Sequence, residues 1–172
     1  MDKLFESLEV AEKDLNDRFG NGASFDVCIK QIYVKNLPVL VVYISGLINS
    51  ETIAQMLSGL DFQEEIKIDD DETYFDRHFN YHGKDQVDKL DDFLLGVLSG
   101  RVGFVTLHGY GYLAEFREYP GRSPEEPDNE KVIRGARDGF AENIIQNVAL
   151  IRRRIRSTEL RFEMVRLTTY GK

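Results

Sequence analysis

An α+β domain, with helices packed on a mixed β-sheet, is the fold class this sequence predicts, and three observations carry it. Apolar residues recur every three or four positions near the start of the chain and again around residue 90. Between and after them lie short runs rich in β-branched and aromatic residues, Val39 to Ile44 above all. Glycine-marked turns join those runs at close spacing, giving the order α, β, β, α, β, α, β, β. At 172 residues, 42% hydrophobic and 30% charged, the chain is long enough to bury one sizeable core.

Leu4, Leu8, Ala11, Leu15 and Phe19 share one helical face opposite a charged one, and Gly20-Asn21-Gly22 ends the helix. Ser24 to Val34 alternates as a strand. After Lys35-Asn36-Leu37-Pro38 the run Val39 to Ile44 suits a buried strand, and so short a connection makes the two a hairpin. Ser50 is placed to cap a helix carrying Ile53, Met56, Leu57 and Leu60. Residues 61–84, acidic around Asp69-Asp70-Asp71-Glu72, predict a loop and then a short strand near Arg77 to Tyr81.

Val87, Leu90, Leu94 and Val97 mark a further helix, ended at Gly100. Arg101 to Leu107 and Tyr112 to Glu118 then predict two strands joined through His108-Gly109-Tyr110-Gly111. The core expected from these faces contains Leu8, Leu15, Val41, Ile44, Ile53, Leu57, Leu94, Val97, Val102, Phe104 and Leu107.

Three of the four prolines, Pro120, Pro124 and Pro127, fall in one charged stretch. The division predicted is a first subdomain over 1–118, a Pro-rich acidic linker over 119–133, and the opening helix and strand of a second, truncated α/β subdomain over 134–172. In the last part Phe140, Ile144, Val148, Ile151 and Ile155 form an apolar helical stripe, and Leu160 to Thr169 alternates as a strand. A lone helix and strand cannot bury such faces, so they must dock on the first subdomain or on a second copy.

Charge is divided unevenly. Residues 1–130 carry 12 Lys and Arg against 26 Asp and Glu, whereas residues 131–172 carry 10 against 4. A basic terminal segment suits an acidic partner or an anionic membrane surface, or it pairs with the chain's own acidic body. Nucleic acid is excluded, because it calls for a wide basic face with aromatic platforms on a chain that is acidic overall. The longest apolar stretch, Leu37 to Ile48, falls far short of the ~20 residues that span a bilayer, and Met1-Asp2-Lys3 opens no secretory signal. One cysteine, Cys28, excludes a disulfide framework and a cysteine zinc site.

Catalysis finds no support. His78 and His82 stand four apart in a segment with strand character, which separates them by ~13 Å, too far for one metal. The acids Asp69 to Glu72 lack the alternating spacing and central glycine of a calcium loop. No serine sits in a nucleophile elbow, and Gly109-Tyr110-Gly111 leads into a strand where a phosphate loop would lead into a helix. No enzyme activity, metal or cofactor is predicted.

The block Arg134-Gly135-Ala136-Arg137-Asp138-Gly139-Phe140-Ala141-Glu142-Asn143 invites a specific reading. Asp138 suits a helix N-cap with Glu142 in the first turn, and Gly135 and Gly139 permit tight turns. Arg134 and Arg137 either pair with these acids and the linker or lock the angle between subdomains. Downstream, Arg152, Arg153, Arg154 and Arg156 make a basic collar in the last turn, where cations complement the helix dipole.

Together with the preceding Tyr119-Pro120-Gly121-Arg122-Ser123-Pro124-Glu125-Glu126-Pro127, this block, Asn147, Leu150 and the arginine run resemble the signature of the spore-germination receptor A-subunit (GerA) family. There an Arg-Gly-x-Arg-(Asp/Glu)-Gly-Phe block opens a helix that closes in an Arg-rich turn. Ala136-Arg137-Asp138 and Glu142-Asn143-Ile144 look closer to the family's stage V sporulation AF branch than to receptor A subunits. The resemblance implies a noncatalytic N-terminal piece of a longer membrane protein, on the cytosolic face of the spore inner membrane. Its partners would be other germination-complex subunits, copies of itself and an anionic membrane surface. Arg134, Gly135, Arg137, Asp138, Gly139, Phe140, Glu142, Asn143, Asn147, Arg152, Arg153, Arg154 and Arg156 would be its interaction and interdomain residues. Two alternatives stay open: a nutrient receptor A subunit that binds a small germinant, and an unrelated small-molecule-binding or enzymatic α/β domain.

Overall fold

Ser7 decides where the first helix begins. Its hydroxyl accepts from the Val10 amide at 3.3 Å, so α1 runs Leu8–Phe19 and closes on Gly20, whose φ of 85° suits a residue without Cβ. The apolar spacing starts the helix at Leu4, but Leu4 and Phe5 precede it; both donate their amides to the Gly109 carbonyl, at 2.9 and 3.0 Å. The computed structural model describes residues 2–34, 36–49, 51–55, 83–118, 140 and 142–165.

β1 (Val27–Val34) and β2 (Leu37–Ile44) form the expected hairpin, paired from Val27 opposite Ile44 to Val34 opposite Leu37. Pro38 is tolerated because β4 meets β2 only across Leu40, Val41 and Val42. Residues 51–55 are helical, and Asn49 Oδ1 accepts from the Thr52 amide at 2.9 Å. Ser50, Met56, Leu57, Leu60, the acidic run and the strand expected near Arg77 to Tyr81 lie outside the described residues.

The second half of the sheet is built from β3 (Asp85–Val87), β4 (Val102–Val105) and β5 (Gly111–Ala114), with α2 (Leu90–Leu98) between β3 and β4. Val87, expected to open the helix, instead lies opposite Gly111 in β3. The strand order is β1-β2-β4-β5-β3, and all its described pairings are antiparallel. The α+β class stands, and the mixed sheet expected is antiparallel throughout its described residues. Two hairpins lie side by side with β2 against β4, and β3 joins the far edge in the same alternating sense. Thr106 ends β4 early by closing a turn with Tyr110, which leaves Leu107 half-buried instead of in the core.

Both faces of the sheet are covered, and β2 shows it in its sequence. Leu40, Val42 and Ile44 face one core with Leu8, Ala11, Leu15 and Phe19 of α1 and Phe93, Leu94, Val97 and Leu98 of α2. Val39 and Val41 face another, with Ile53, Val102, Phe104 and Tyr112. A strand buried on both sides reads as a continuous apolar run. Of the expected core residues that are described, all but Leu107 are buried; Leu57 lies outside the described residues. Tyr43, opposite Cys28 on the hairpin, has its phenol pushed up to about 12, by burial first and then by its hydrogen bond to Cys28.

Gly103 lets α2 lie close on β4. A Cβ there would stand 2.5 Å from Phe93 Cζ and 3.0 Å from Val97 Cγ2, both belonging to fully buried side chains. Gly103→Ala should therefore lower the unfolding free energy by about 1–3 kcal/mol, as for other overpacked cores, measurable by urea titration. An unchanged midpoint would contradict this packing.

Candidate functional site: a buried arginine at the base of the last helix

The last described helix, α3, runs Ile144–Arg154. Asn143 is its N-cap: the side-chain Oδ1 accepts from the Ile145 amide at 2.9 Å and the Gln146 amide at 3.4 Å. The cap expected at Asp138 is thereby replaced, and Phe140, expected inside the helix, precedes it and is 68% exposed. Asn147 continues the first turn, its amide donating to the Asn143 carbonyl at 3.1 Å.

The buried face of α3 is rotated from the expected stripe. Val148, Ala149 and Arg152 are buried, whereas Ile144 and Ile155 are 52% and 49% exposed. Gly46, in the turn after β2, explains the contact, since a Cβ there would lie 2.8 Å from Ile145 Cγ2 and 3.2 Å from Ala149 Cβ. Ala149 joins the core that contains α1 and α2. The helix thus docks on the sheet domain, one of the two outcomes its apolar content required.

Arg152 departs most from the basic collar that the sequence suggested. It is 0% exposed, as is its partner Asp26. Nε donates to Asp26 Oδ2 at 3.0 Å, and Nη2 donates to Asp26 Oδ1 at 3.0 Å and to Ser24 Oγ at 3.3 Å. Nη1 donates to the carbonyls of Ser157 at 3.1 Å and Leu160 at 2.9 Å. A guanidinium has five N–H donors, and here five acceptors meet them. The fork-to-fork pair with the carboxylate is the strong geometry for such a charge, and burial without it would be prohibitive.

The surrounding groups close the site. Ser24 Oγ donates to Asp26 Oδ1 at 2.6 Å and accepts from the Phe162 amide at 2.9 Å, while Phe25 donates to the Phe162 carbonyl at 3.0 Å. The Phe162 ring lies over the guanidinium, 5.1 Å from Cζ to the ring centroid. The strand expected over Leu160 to Thr169 is absent from its described part, residues 160–165, where the Leu160 carbonyl and the Phe162 amide and carbonyl are spent on these contacts; residues 166–169 lie outside the described residues. Elsewhere Glu115 is held below the ordinary carboxylate range by its hydrogen bond from Arg117, against a smaller opposing push from burial.

Arg153, Arg154 and Arg156 are exposed, as a collar requires, and so is Glu142. Arg134, Gly135, Arg137, Asp138 and Gly139 lie outside the described residues, as do His78 and His82. Among the described residues no group of three or more His, Cys, Asp and Glu could hold a metal ion, and no helix is long and apolar enough to cross a membrane. Asp26 and Ser24 were not foreseen as site residues. Their one sequence signal is a lone carboxylate between Phe25 and Val27 at the mouth of an apolar strand.

A profile of the Bacillus/Clostridium GerA spore germination protein matches residues 13–172. The chain belongs to the GerA spore-germination family. Stage V sporulation protein AF of Bacillus subtilis (strain 168) is 39% identical over 160 residues, covering 91% of this GerA-family chain and 32% of that protein. Spore germination protein KA of the same organism is 28% identical over 165 residues, covering 84% of this chain and 28% of the relative. The fold matches the crystal structure of the N-terminal domain of the A subunit of the Bacillus megaterium spore germinant receptor GerK3. That match has a TM-score of 0.62 at 18% identity and covers 92% of this chain and 58% of the other. The GerA-family chain therefore spans about a third of the length of the curated relatives it matches.

The cap gives a direct check on the start of α3. Asn143→Ala should lower the unfolding free energy by about 1 kcal/mol and Asn143→Ser should restore most of it, since serine caps nearly as well. Equal stability of wild type and Asn143→Ala would place the helix start elsewhere.

Proposed function

We propose that this chain is a noncatalytic N-terminal domain of a spore-germination membrane protein, acting through subunit assembly and signal transmission on the cytosolic face of the spore inner membrane. The observation that carries the proposal is the unfinished outer side of α3. Ile144 and Ile155 stay exposed beside Arg153, Arg154 and Arg156, with Met164 and Val165 exposed just beyond, while the inner side of the same helix is fully docked. Apolar groups set among cations are what a protein-protein contact covers.

In this reading residues 1–118 are a first subdomain, 119–133 a linker, and 134–172 the start of a second subdomain that the longer relatives complete. Support comes from the solved GerK3 domain, of which this chain covers only 58%. The family's germination proteins make other germination-complex subunits and copies of the chain its partners. An anionic membrane surface is a further candidate for the arginine side. The noncatalytic assignment rests on the names of the relatives and on the absence of a reactive constellation in the sequence.

Binding of this chain to the purified soluble regions of other germination-complex subunits tests the proposal. Affinity should fall as salt rises, and the triple reversal Arg153→Glu, Arg154→Glu and Arg156→Glu should weaken it about tenfold or more. No binding to any subunit, or binding indifferent to the reversal, would contradict it.

A further inference from the structure

We propose that the Arg152–Asp26 clasp couples the segment leaving α3 to the β1–β2 end of the sheet, so that the two open and close as one unit. The inference deepens the transmission role proposed above and rests on it for its biological purpose, but not for its physics. Three elements meet in one buried charge: the turn before β1 through Ser24 and Asp26, the helix through Arg152, and the outgoing chain through the carbonyls of Ser157 and Leu160.

The links continue on the sheet side. The Asp26 carbonyl accepts from the Ser45 amide at 2.7 Å, directly after β2. At Gly46, the next residue, α3 lies so near that a Cβ would stand 2.8 Å from Ile145 Cγ2. On the outgoing side Phe162 is held twice, by its amide on Ser24 Oγ and by its carbonyl on the Phe25 amide. Arg161 meanwhile packs its guanidinium end against Gly20 at the end of α1. A displacement of residues 157–162 therefore has no route that leaves Asp26 and Ser45 untouched.

Partial opening is disfavoured by the same chemistry. Pulling Ser157 or Leu160 away strips acceptors from a guanidinium with 0% exposure, and withdrawing Asp26 leaves a buried charge unpaired. States with some contacts broken thus cost nearly as much as full release, which is the condition for an all-or-none element. Lysine cannot substitute, because its three donors radiate from one nitrogen and cannot reach both carboxylate oxygens and two carbonyls in a plane.

Amide hydrogen exchange on the 172-residue chain, followed by NMR at several low denaturant concentrations, tests the coupling without any partner. In the wild type the amides of Phe25, Ser45 and Phe162 should open together, with one opening free energy and one denaturant dependence. In Arg152→Lys the Phe25 and Phe162 amides should exchange at least about tenfold faster than Ser45, while Val42 and Leu113 in the sheet still open only globally. Should Arg152→Lys fail to fold, Ser24→Ala removes one acceptor of the guanidinium and the acceptor of the Phe162 amide while keeping the ion pair, and should separate the same amides in the same order. Independent opening of Phe162 and Ser45 in the wild type would overturn the proposal. So would variants that speed all amides equally. Because assembly is not measured, a failure here leaves the partner-binding role standing, and a failure to bind partners leaves the coupling standing.

Discussion

A guanidinium taken wholly out of water must find an acceptor for every N–H, and the C-terminal part of this chain is arranged around that requirement at Arg152. The requirement fixes the rotation of α3, because only one face of the helix can present Arg152 to Asp26 while laying Ala149 over Gly46. Ile144 and Ile155 are carried outward as a result. It also explains why the chain after α3 is irregular, since two of its carbonyls are committed to Arg152 and Phe162 bonds to Ser24 and Phe25.

The sheet supplies the fixed frame that the clasp needs. Asp26 stands at the start of β1, whose partner β2 is buried on both faces and flanked by β4. A carboxylate held there has little freedom to relax, so the charge pair gets its good geometry at small entropic cost. Close packing of α2 against β4 over Gly103 stiffens the other half of the sheet. The GerA-family match and the likeness to a germinant receptor A-subunit domain place this frame among germination proteins. They leave the outer side of α3 to the assembly role proposed for it.

Much of the frame was legible in the sequence because it obeys local rules. The spacing of Leu8, Ala11, Leu15 and Phe19, the apolar run of β2 and the Gly-marked turn at 108–111 each named their element. The misses have local causes too. Ser7 caps a helix that the apolar spacing alone would start at Leu4, and Val87 satisfies helical spacing while pairing in a strand. For the last helix the spacing picks out Phe140, Ile144, Val148, Ile151 and Ile155 as the most apolar stripe, yet the buried face of Val148, Ala149 and Arg152 substitutes an arginine for an apolar residue. Periodicity counts apolar residues and so cannot anticipate a face completed by a charge whose partner lies 126 positions away in the sequence. The arginine run was recognised as meaningful, but nothing in it separated the buried Arg152 from its exposed neighbours.

Whether Arg152 and Asp26 act as one unit is decided most directly by a double-mutant cycle on unfolding free energy. Arg152→Met and Asp26→Leu should each cost about 3–5 kcal/mol, since each strands a buried charge, and the double variant should be more stable than either single one. Additive losses, with a coupling within about 0.5 kcal/mol of zero, would show that the pair does not hold the helix to the sheet.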